Sequence, residues 1–146
     1  MIGADSLILP LLQGFFWFDD GLQAQLQARG WTEVTRPQSM VMTNVVIGVQ
    51  RPSDIARNLG VSRQSVHATI NQMVEKGMLE LVDDPEDGRS KIVVLSEVGQ
   101  QMRTDANHAM EGMVEVLRQR IGARNVEALI RAFSADWGDA PRPSGA

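Results

Sequence analysis

The sequence predicts a mainly α-helical (α+β) chain, in which a winged helix-turn-helix at residues 49–95 is flanked by helices that pair two subunits. In that central stretch, two short helical segments meet at a glycine and are followed by two β-rich segments. On both sides, in residues 1–48 and 96–138, apolar residues recur at spacings of three and four. We expect the proline- and glycine-containing residues 139–146 to be disordered.

The first central helix has a start and a stop signal. Ser53 follows a proline, so its hydroxyl is predicted to cap the free amides at the helix start. Gly60 is predicted to end this helix, and Val61 to fill the angle before the next one.

The second central helix is predicted from Ser62, as its cap, to about Lys76, with Gly77 as its stop. One face is apolar and is expected to pack on the first helix, with Val66, Ile70, Met73 and Val74. The other face is small or hydrogen-bonding, with Arg63, Gln64, Ser65, His67, Ala68 and Asn71.

The second helix lies in a stretch without acidic residues. Asp and Glu make up 18 of the 146 residues, yet the 20 residues from Ile55 to Val74 contain neither. A surface that meets phosphates must avoid carboxylates, whereas Arg, Gln, Ser and Asn can bond phosphate oxygens and base edges. The pattern therefore predicts a helix that reads the major groove of double-stranded DNA.

Two β-strands are predicted after this helix, at residues 79–82 and 91–95, joined by a link rich in turn formers. In the link, Asp87 and Arg89 flank Gly88. We expect the Asp87 carboxylate to hold the Arg89 guanidinium in one direction, towards a narrow minor groove.

These residues resemble the MarR family of bacterial transcriptional regulators. The similarity is carried by residues 52–79, by the tip Asp87-Gly88-Arg89 and by residues 95–99. The resemblance implies a homodimeric, ligand-responsive regulator, most often a repressor. It further implies terminal helices that interlock two subunits, with two recognition helices about one DNA turn apart on a near-palindromic operator. The predicted DNA contacts are Ser62, Arg63, Gln64, Ser65, His67, Asn71, Asp87 and Arg89.

The composition argues against several other classes of protein. No segment is long and apolar enough for a membrane span, and the acidic N-terminal region does not look like a signal peptide, so we expect a cytoplasmic protein without a membrane partner. The absence of cysteine excludes disulfides and thiolate metal sites. The net charge of −4 argues against indiscriminate coating of nucleic acid, although 12 arginines remain available for directed contacts.

No enzyme, metal or cofactor is predicted. The two histidines, His67 and His108, have no partner nearby in sequence at metal-ligand spacing. The sequence also has no glycine-rich phosphate loop and no nucleophile elbow. The alternative to a DNA-binding regulator is a winged-helix module that binds protein without specific DNA binding, which the acidic net charge favours.

Four further helices are predicted. The first runs from about Leu9 to Ala28, and the second from Arg36 or Pro37 to Val46. After the β-segments, Ser96 is predicted to cap a helix of about 25 residues that ends at Gly122. The last helix is expected to carry one apolar stripe of Val126, Leu129, Ile130, Phe133 and Trp137.

Aromatic residues are concentrated early in the first helix, at residues 15–18, and cover nearly all sides of one turn. They indicate either a subunit interface or the wall of a small-molecule pocket. Arg36, at a helix start, is either a seat for a carboxylate or half of a surface ion pair with a residue such as Glu33. The pocket hypothesis predicts a small aromatic carboxylate as effector, bound by Phe16, Trp17, Arg36, Ser39 and Thr43.

Overall fold

A computed structural model describes residues 3–145 of the chain. After a short 3-10 turn at Ala4–Ser6, the elements are α1 (Ile8–Ala28), α2 (Arg36–Val46), α3 (Pro52–Leu59), α4 (Arg63–Glu75), β1 (Leu79–Asp83), β2 (Lys91–Leu95), α5 (Glu97–Ile121) and α6 (Ala123–Ser134). The predicted helical fold with one β-hairpin is confirmed. Residue contacts divide the chain into a first compact unit up to Met110 and a second from Glu111.

The helix α3 begins differently from the prediction. Arg51 is its N-cap residue and forms no side-chain capping bond, so the predicted cap at Ser53 is wrong. The Arg51 carbonyl already accepts the amides of Asp54 and Ile55, because Pro52 occupies the first helical position with a suitable φ. At the other end Gly60 adopts φ 65°, in the left-handed region that favours glycine, and ends the helix as predicted.

The packing side of α4 is also narrower than predicted. Val66, Thr69, Ile70 and Met73 are buried, whereas Val74 is exposed, because it lies at the edge of this stripe. Thr69 tolerates burial since its hydroxyl donates to the Ser65 carbonyl at 3.1 Å. Val61 is 46% exposed and therefore does not fill the angle between α3 and α4 as expected.

The core of the first unit lies between α2, α3, α4 and the hairpin. Its most deeply buried side chains are Val41, Ile55, Val66, Ile70, Met73, Leu79 and Val93. Leu26 of α1 and Met102 of α5 belong to the same buried cluster. The predicted boundaries at residues 48 and 96 thus do not coincide with a break in packing. The assignment of a dimerisation region and a DNA-binding domain stays a prediction.

The hairpin of β1 and β2 connects α4 to α5. Its two strands are antiparallel, with Leu79 opposite Leu95 and Asp83 opposite Lys91. Beyond β2, the Ser96 hydroxyl accepts the amide N–H of Gly99 at 3.0 Å, which confirms Ser96 as the cap of α5. A Cβ atom on Gly99 would collide with the Met78 carbonyl oxygen, so this glycine permits the close approach of α5 to the residues that follow α4.

The second unit contains the rest of α5 and α6. Val126 is buried, whereas Leu129, Ile130 and Phe133 are exposed. Trp137 was expected on the same helical stripe, but α6 ends at Ser134. The Trp137 indole instead stacks on Phe133, with 5.3 Å between ring centroids, and its N–H donates to the carbonyl of residue 132. Residues 140–145 form no helix or strand; their disorder stays a prediction, and Ala146 lies outside the described residues.

Candidate functional site

The candidate nucleic-acid interface starts at the first turn of α4. Ser62 caps this helix as predicted, because its hydroxyl oxygen accepts the amide N–H of Ser65 at 3.1 Å. The cap leaves the helix start at the surface and orders the turn on which Arg63 and Gln64 lie. The N-terminal residues of a helix held in this way are the ones that reach base edges when a helix enters the major groove.

The side chains of α4 and its cap that are predicted to contact DNA share one exposed face, which we call the reading face. All of them are solvent-exposed: Ser62, Arg63, Gln64, Ser65, His67 and Asn71. Among residues 3–145, the side chains of Arg63, Gln64, His67 and Asn71 make no internal hydrogen bond or salt bridge. Their donors and acceptors therefore remain available to an external partner.

The nearest acidic side chain before the acid-free stretch is already paired. Asp54 on α3 accepts a hydrogen bond from Arg57 at 3.0 Å, one helical turn later. On the other side of the stretch, Glu75 is the last residue of α4. The reading face thus carries one formal positive charge, on Arg63, and no opposing carboxylate within α4 before Glu75.

A hydrogen-bond network joins the C-terminal end of α4 to α2. The Gln38 side chain of α2, only 4% exposed, donates from Nε2 to Gln72 Oε1 at 3.0 Å. Its Oε1 accepts from the Lys76 ammonium at 3.0 Å and from the Thr35 amide at 3.1 Å. Thr35 and Gln38 also form a capping box at the start of α2. The sequence analysis missed this role of Gln38, although a threonine three residues before a glutamine is the signal of such a box.

We call the hairpin of β1 and β2 the wing. Asp87 orders the loop at its tip in a way that differs from the prediction. The Asp87 carboxylate accepts the backbone N–H of Arg89 at 3.1 Å and the hydroxyl of Ser90 at 3.2 Å. Within the described chain it forms no salt bridge with the Arg89 guanidinium, so the expected side-chain pairing is wrong. A short carboxylate two residues before an amide closes a local turn more readily than it reaches a long side chain. Asp87 therefore shapes the loop, and the exposed Arg89 side chain is left without an ion pair.

The base of the wing is tied to the start of α3. Arg51 donates from Nε to the buried carboxylate of Asp84 at 3.0 Å and also pairs with Glu86 at 3.2 Å. The backbone N–H of Glu86 and the Arg51 guanidinium lower the pKa of Asp84, against the opposing effect of its desolvation. The hydrogen bond to Asp84 raises the pKa of Arg51. Sequence reasoning missed this pair because 33 residues separate its partners.

Arg36 does not present a free guanidinium. It donates from Nε to Asp19 at 3.1 Å and pairs with Asp20 at 2.7 Å, both on α1. It also lies 4.1 Å from the centre of the Phe16 ring. The expected alternative, an ion pair, is found, but its acidic partners differ from the suggested Glu33. An external carboxylate would have to displace two carboxylates that the chain itself supplies.

Two pockets lie next to each other among α1, α2 and the part of α5 before residue 111. We call them the Arg103 pocket, of about 190 Å³, and the Asp19 pocket, of about 310 Å³. Both are lined by Leu22, Ser39, Thr43 and Met110. Of the predicted effector residues, Ser39 and Thr43 are thus brought to the pockets, whereas Phe16, Trp17 and Arg36 line neither of them. The neighbouring aromatics Phe15 and Phe18 line the Asp19 pocket instead.

The Asp19 pocket is lined by other members of the aromatic run than the predicted ones, because four consecutive aromatic residues point in four directions around a helix. Periodicity alone does not indicate which of them faces α2. The assignment of Phe16 and Trp17 to a ligand stays a prediction. Among the described residues, no three His, Asp or Glu side chains are placed to hold a metal ion. No helix in residues 3–145 is long and apolar enough to cross a membrane.

The chain is similar to known proteins in sequence and in fold. A sequence model of the MarR family matches residues 32–90. No curated protein sequence matches the chain. Among solved structures, the transcriptional regulator PA4135 has a TM-score of 0.70 and 22% identity, over 88% of this chain and 93% of the other.

Two further solved structures share the fold. MarR from E. coli, in its apo form, has a TM-score of 0.68 and 20% identity, over 92% of this chain and 96% of the other. The PcaV transcriptional regulator from Streptomyces coelicolor, solved with its natural ligand, has a TM-score of 0.61 and 18% identity, over 90% and 89% of the two chains. At these identities the structural similarity establishes the fold.

Proposed function

We propose that the chain, whose residues 32–90 match a sequence model of the MarR family, is a homodimeric repressor of transcription that a small ligand releases from its operator. The observation that carries the proposal is the exposed, acid-free face of α4. Its side chains Arg63, Gln64, His67 and Asn71 make no internal hydrogen bond or salt bridge within residues 3–145, while Ser62 caps the helix and Gln38 bonds Gln72 near its other end. Such a face offers hydrogen bonds without repelling phosphates.

In the proposed complex, α4 of each subunit enters the major groove. Arg63 and Gln64, in the first turn, read base edges, and Ser62, Ser65, His67 and Asn71 contact bases or phosphates. The wing lies along the flanking minor groove, where Arg89 is the inserted cation. Asp87 contributes by fixing the loop backbone that carries Arg89.

The proposed homodimer is supported by apolar side chains that remain exposed near both chain ends. Near the start these are Leu7, Ile8, Leu9, Leu11 and Leu12, and Ile8 is 80% exposed. Near the end they are Leu129, Ile130, Phe133 and Trp137. Exposed apolar patches on this scale are typical of association surfaces, and a twofold pair would place two recognition helices on a near-palindrome.

We place the proposed aromatic acid in the Arg103 pocket. Arg103, half-buried on α5, forms no salt bridge within residues 3–145 and lines this pocket together with Ser39 and Thr43. It is therefore a better carboxylate partner than Arg36, which is occupied by Asp19 and Asp20. The pocket is smaller than the usual range of about 300–1,000 Å³, which favours a single-ring acid.

Release of DNA requires the acid to prefer a dimer whose recognition helices are wrongly spaced for the operator. A hundredfold preference corresponds to about 2.7 kcal/mol. The similar PcaV regulator, solved with its natural ligand, supports a ligand-responsive role for this fold.

The test is a titration of the protein against DNA flanking its own coding region, at two salt concentrations. We expect a protected near-palindrome, and an affinity that falls steeply with salt because phosphate contacts release counterions. An affinity that does not change with salt, without a protected site, would favour the alternative winged-helix module that binds protein.

A further inference from the structure

The Asp19 pocket differs in chemistry from its neighbour. It is lined by the aromatic rings of Phe15 and Phe18 and by the apolar side chains of Leu22, Met40, Leu59 and Met110. The one charged group in its lining is Asp19, which is 7% exposed. A buried carboxylate in an otherwise largely apolar cavity determines which ligands the cavity can accept.

The hydroxyl hydrogens of this pocket are already used. Ser39 donates its hydroxyl hydrogen to Asp19 at 3.0 Å, and Thr43 donates its own to the Ser39 carbonyl at 2.9 Å. Each hydroxyl has one hydrogen, so only lone pairs of Ser39 and Thr43 remain for a ligand.

Asp19 and Asn44 are the other two polar side chains that line the pocket. The two carboxylate oxygens of Asp19 accept one bond each, from Ser39 and Arg36, and each retains a free lone pair. Asn44 donates one amide hydrogen to the Met40 carbonyl, which leaves a single N–H as the only side-chain donor. The free capacity of the pocket is therefore almost entirely that of a hydrogen-bond acceptor.

The net charge beside the pocket also favours a cationic ligand. Two carboxylates, Asp19 and Asp20, surround one guanidinium, that of Arg36, so the cluster keeps one net negative charge. Arg36 does not line the cavity; its guanidinium is paired with Asp19 and Asp20 and lies over the ring of Phe16. An anionic ligand in this pocket would find no free cation and a carboxylate that repels it.

We propose that the Asp19 pocket is a second ligand site, separate from the Arg103 pocket, and that it binds small aromatic ammonium compounds. The ammonium group donates to the free lone pairs of Asp19 and Thr43, while the ring packs against Phe15 and Phe18. The volume of about 310 Å³ accommodates one aromatic ring with a short side chain. The proposal does not depend on the operator or on the aromatic acid.

The methionines allow the two pockets to be distinguished in one experiment. Met40 lines only the Asp19 pocket, Met42 and Met102 line only the Arg103 pocket, and Met110 lines both. With ¹³C-methyl-labelled methionine, 2-phenylethylammonium should shift the resonances of Met40 and Met110. Phenylacetate, which has a ring of the same kind and the opposite charge, should leave Met40 unchanged. Shifts at Met42 and Met102 without one at Met40, or no shift at all, would overturn the proposal.

Three variants test the role of the carboxylate. Asp19→Asn removes the charge with little change of shape, and we expect it to weaken 2-phenylethylammonium binding at least tenfold by calorimetry. Asp20→Asn removes an equal charge from the same Arg36 pair but outside the pocket, and Arg103→Gln changes the other pocket. Arg103→Gln should keep the wild-type affinity for the ammonium compound. Asp20→Asn makes the cluster neutral but removes no acceptor from the pocket, so it should weaken binding less than Asp19→Asn does. If Asp19→Asn binds as the wild type does, or if all three variants lose binding equally, the assignment is wrong.

Because Asp19→Asn also removes a partner of Arg36, the fold of each variant is checked by thermal unfolding. Should Asp19→Asn fail to fold, the methyl shifts in the wild-type protein decide alone. Failure of the aromatic acid to bind would contradict the proposed effector and leave this proposal standing, because the acid is assigned to other methionines.

Discussion

The side chain of Gln38 donates to Gln72 at 3.0 Å and thereby connects α2, which lines both pockets, to the helix that carries the reading face. Gln38 is almost fully buried and bonds three groups, whereas Gln72 is exposed. A ligand that moves α2 can alter the position of α4 through this contact, since the two helices also pack together in the core.

We expect Gln38→Ala to lower the free energy of unfolding by about 1–3 kcal/mol, because it removes several hydrogen bonds of a buried group. Gln72→Ala removes only the exposed partner of one bond and should cost about 0.5–1 kcal/mol. Urea denaturation of both variants measures the difference. Equal losses would mean that the network contributes no more than a single surface bond.

Two serines near helix starts make a matched pair. Ser62 caps α4, whereas Ser53 lies inside α3 and caps nothing. We expect Ser62→Ala to cost about 1 kcal/mol and Ser53→Ala to stay within about 0.5 kcal/mol of the wild type. Urea midpoints test both, and a larger loss at Ser53 would contradict the described start of α3.

The lowered pKa of Asp84 predicts that the free energy of unfolding depends on pH. Its pKa is lowered in the folded protein, so its stabilising effect is present above the pKa of the unfolded chain, about 3.9, and is lost as the pH falls through the folded value. The difference in urea midpoint between wild type and Asp84→Asn should be constant from about pH 5 to 8 and shrink below about pH 4. A difference that persists unchanged into the acid range would exclude this contribution.

The local parts of the fold could be predicted because their signals are local. The glycine stops, the caps at Ser62 and Ser96 and the two faces of α4 depend on residues a few positions apart. The partners of Arg36 and Arg51 are 16–17 and 33–35 residues away, and only the packing of the folded chain brings them together. For the same reason, the sequence suggested Ser39, Thr43 and the aromatic run 15–18 for a pocket, but it did not indicate which of those aromatics line it.

Arg89 is predicted to act in the minor groove. Arg89→Ala should lose affinity mainly on operators with A/T-rich flanks, where a narrow groove concentrates negative potential. Asp87→Ala should give a smaller loss on the same flanks, since it loosens the loop backbone without removing the cation. Anisotropy titrations on A/T- and G/C-flanked sites measure both, and equal losses on the two flanks would make Arg89 a simple phosphate contact.

The central claim, that the exposed face of α4 reads DNA, is tested most directly by Arg63→Ala against Arg120→Ala. Arg120 is an exposed arginine of α5 in the second unit, so its loss changes the net charge equally but leaves the reading face intact. On the footprinted operator we predict that Arg63→Ala weakens specific binding by about 1–3 kcal/mol, and that Arg120→Ala binds like the wild type. Equal affinities of wild type and Arg63→Ala for that operator would contradict the account.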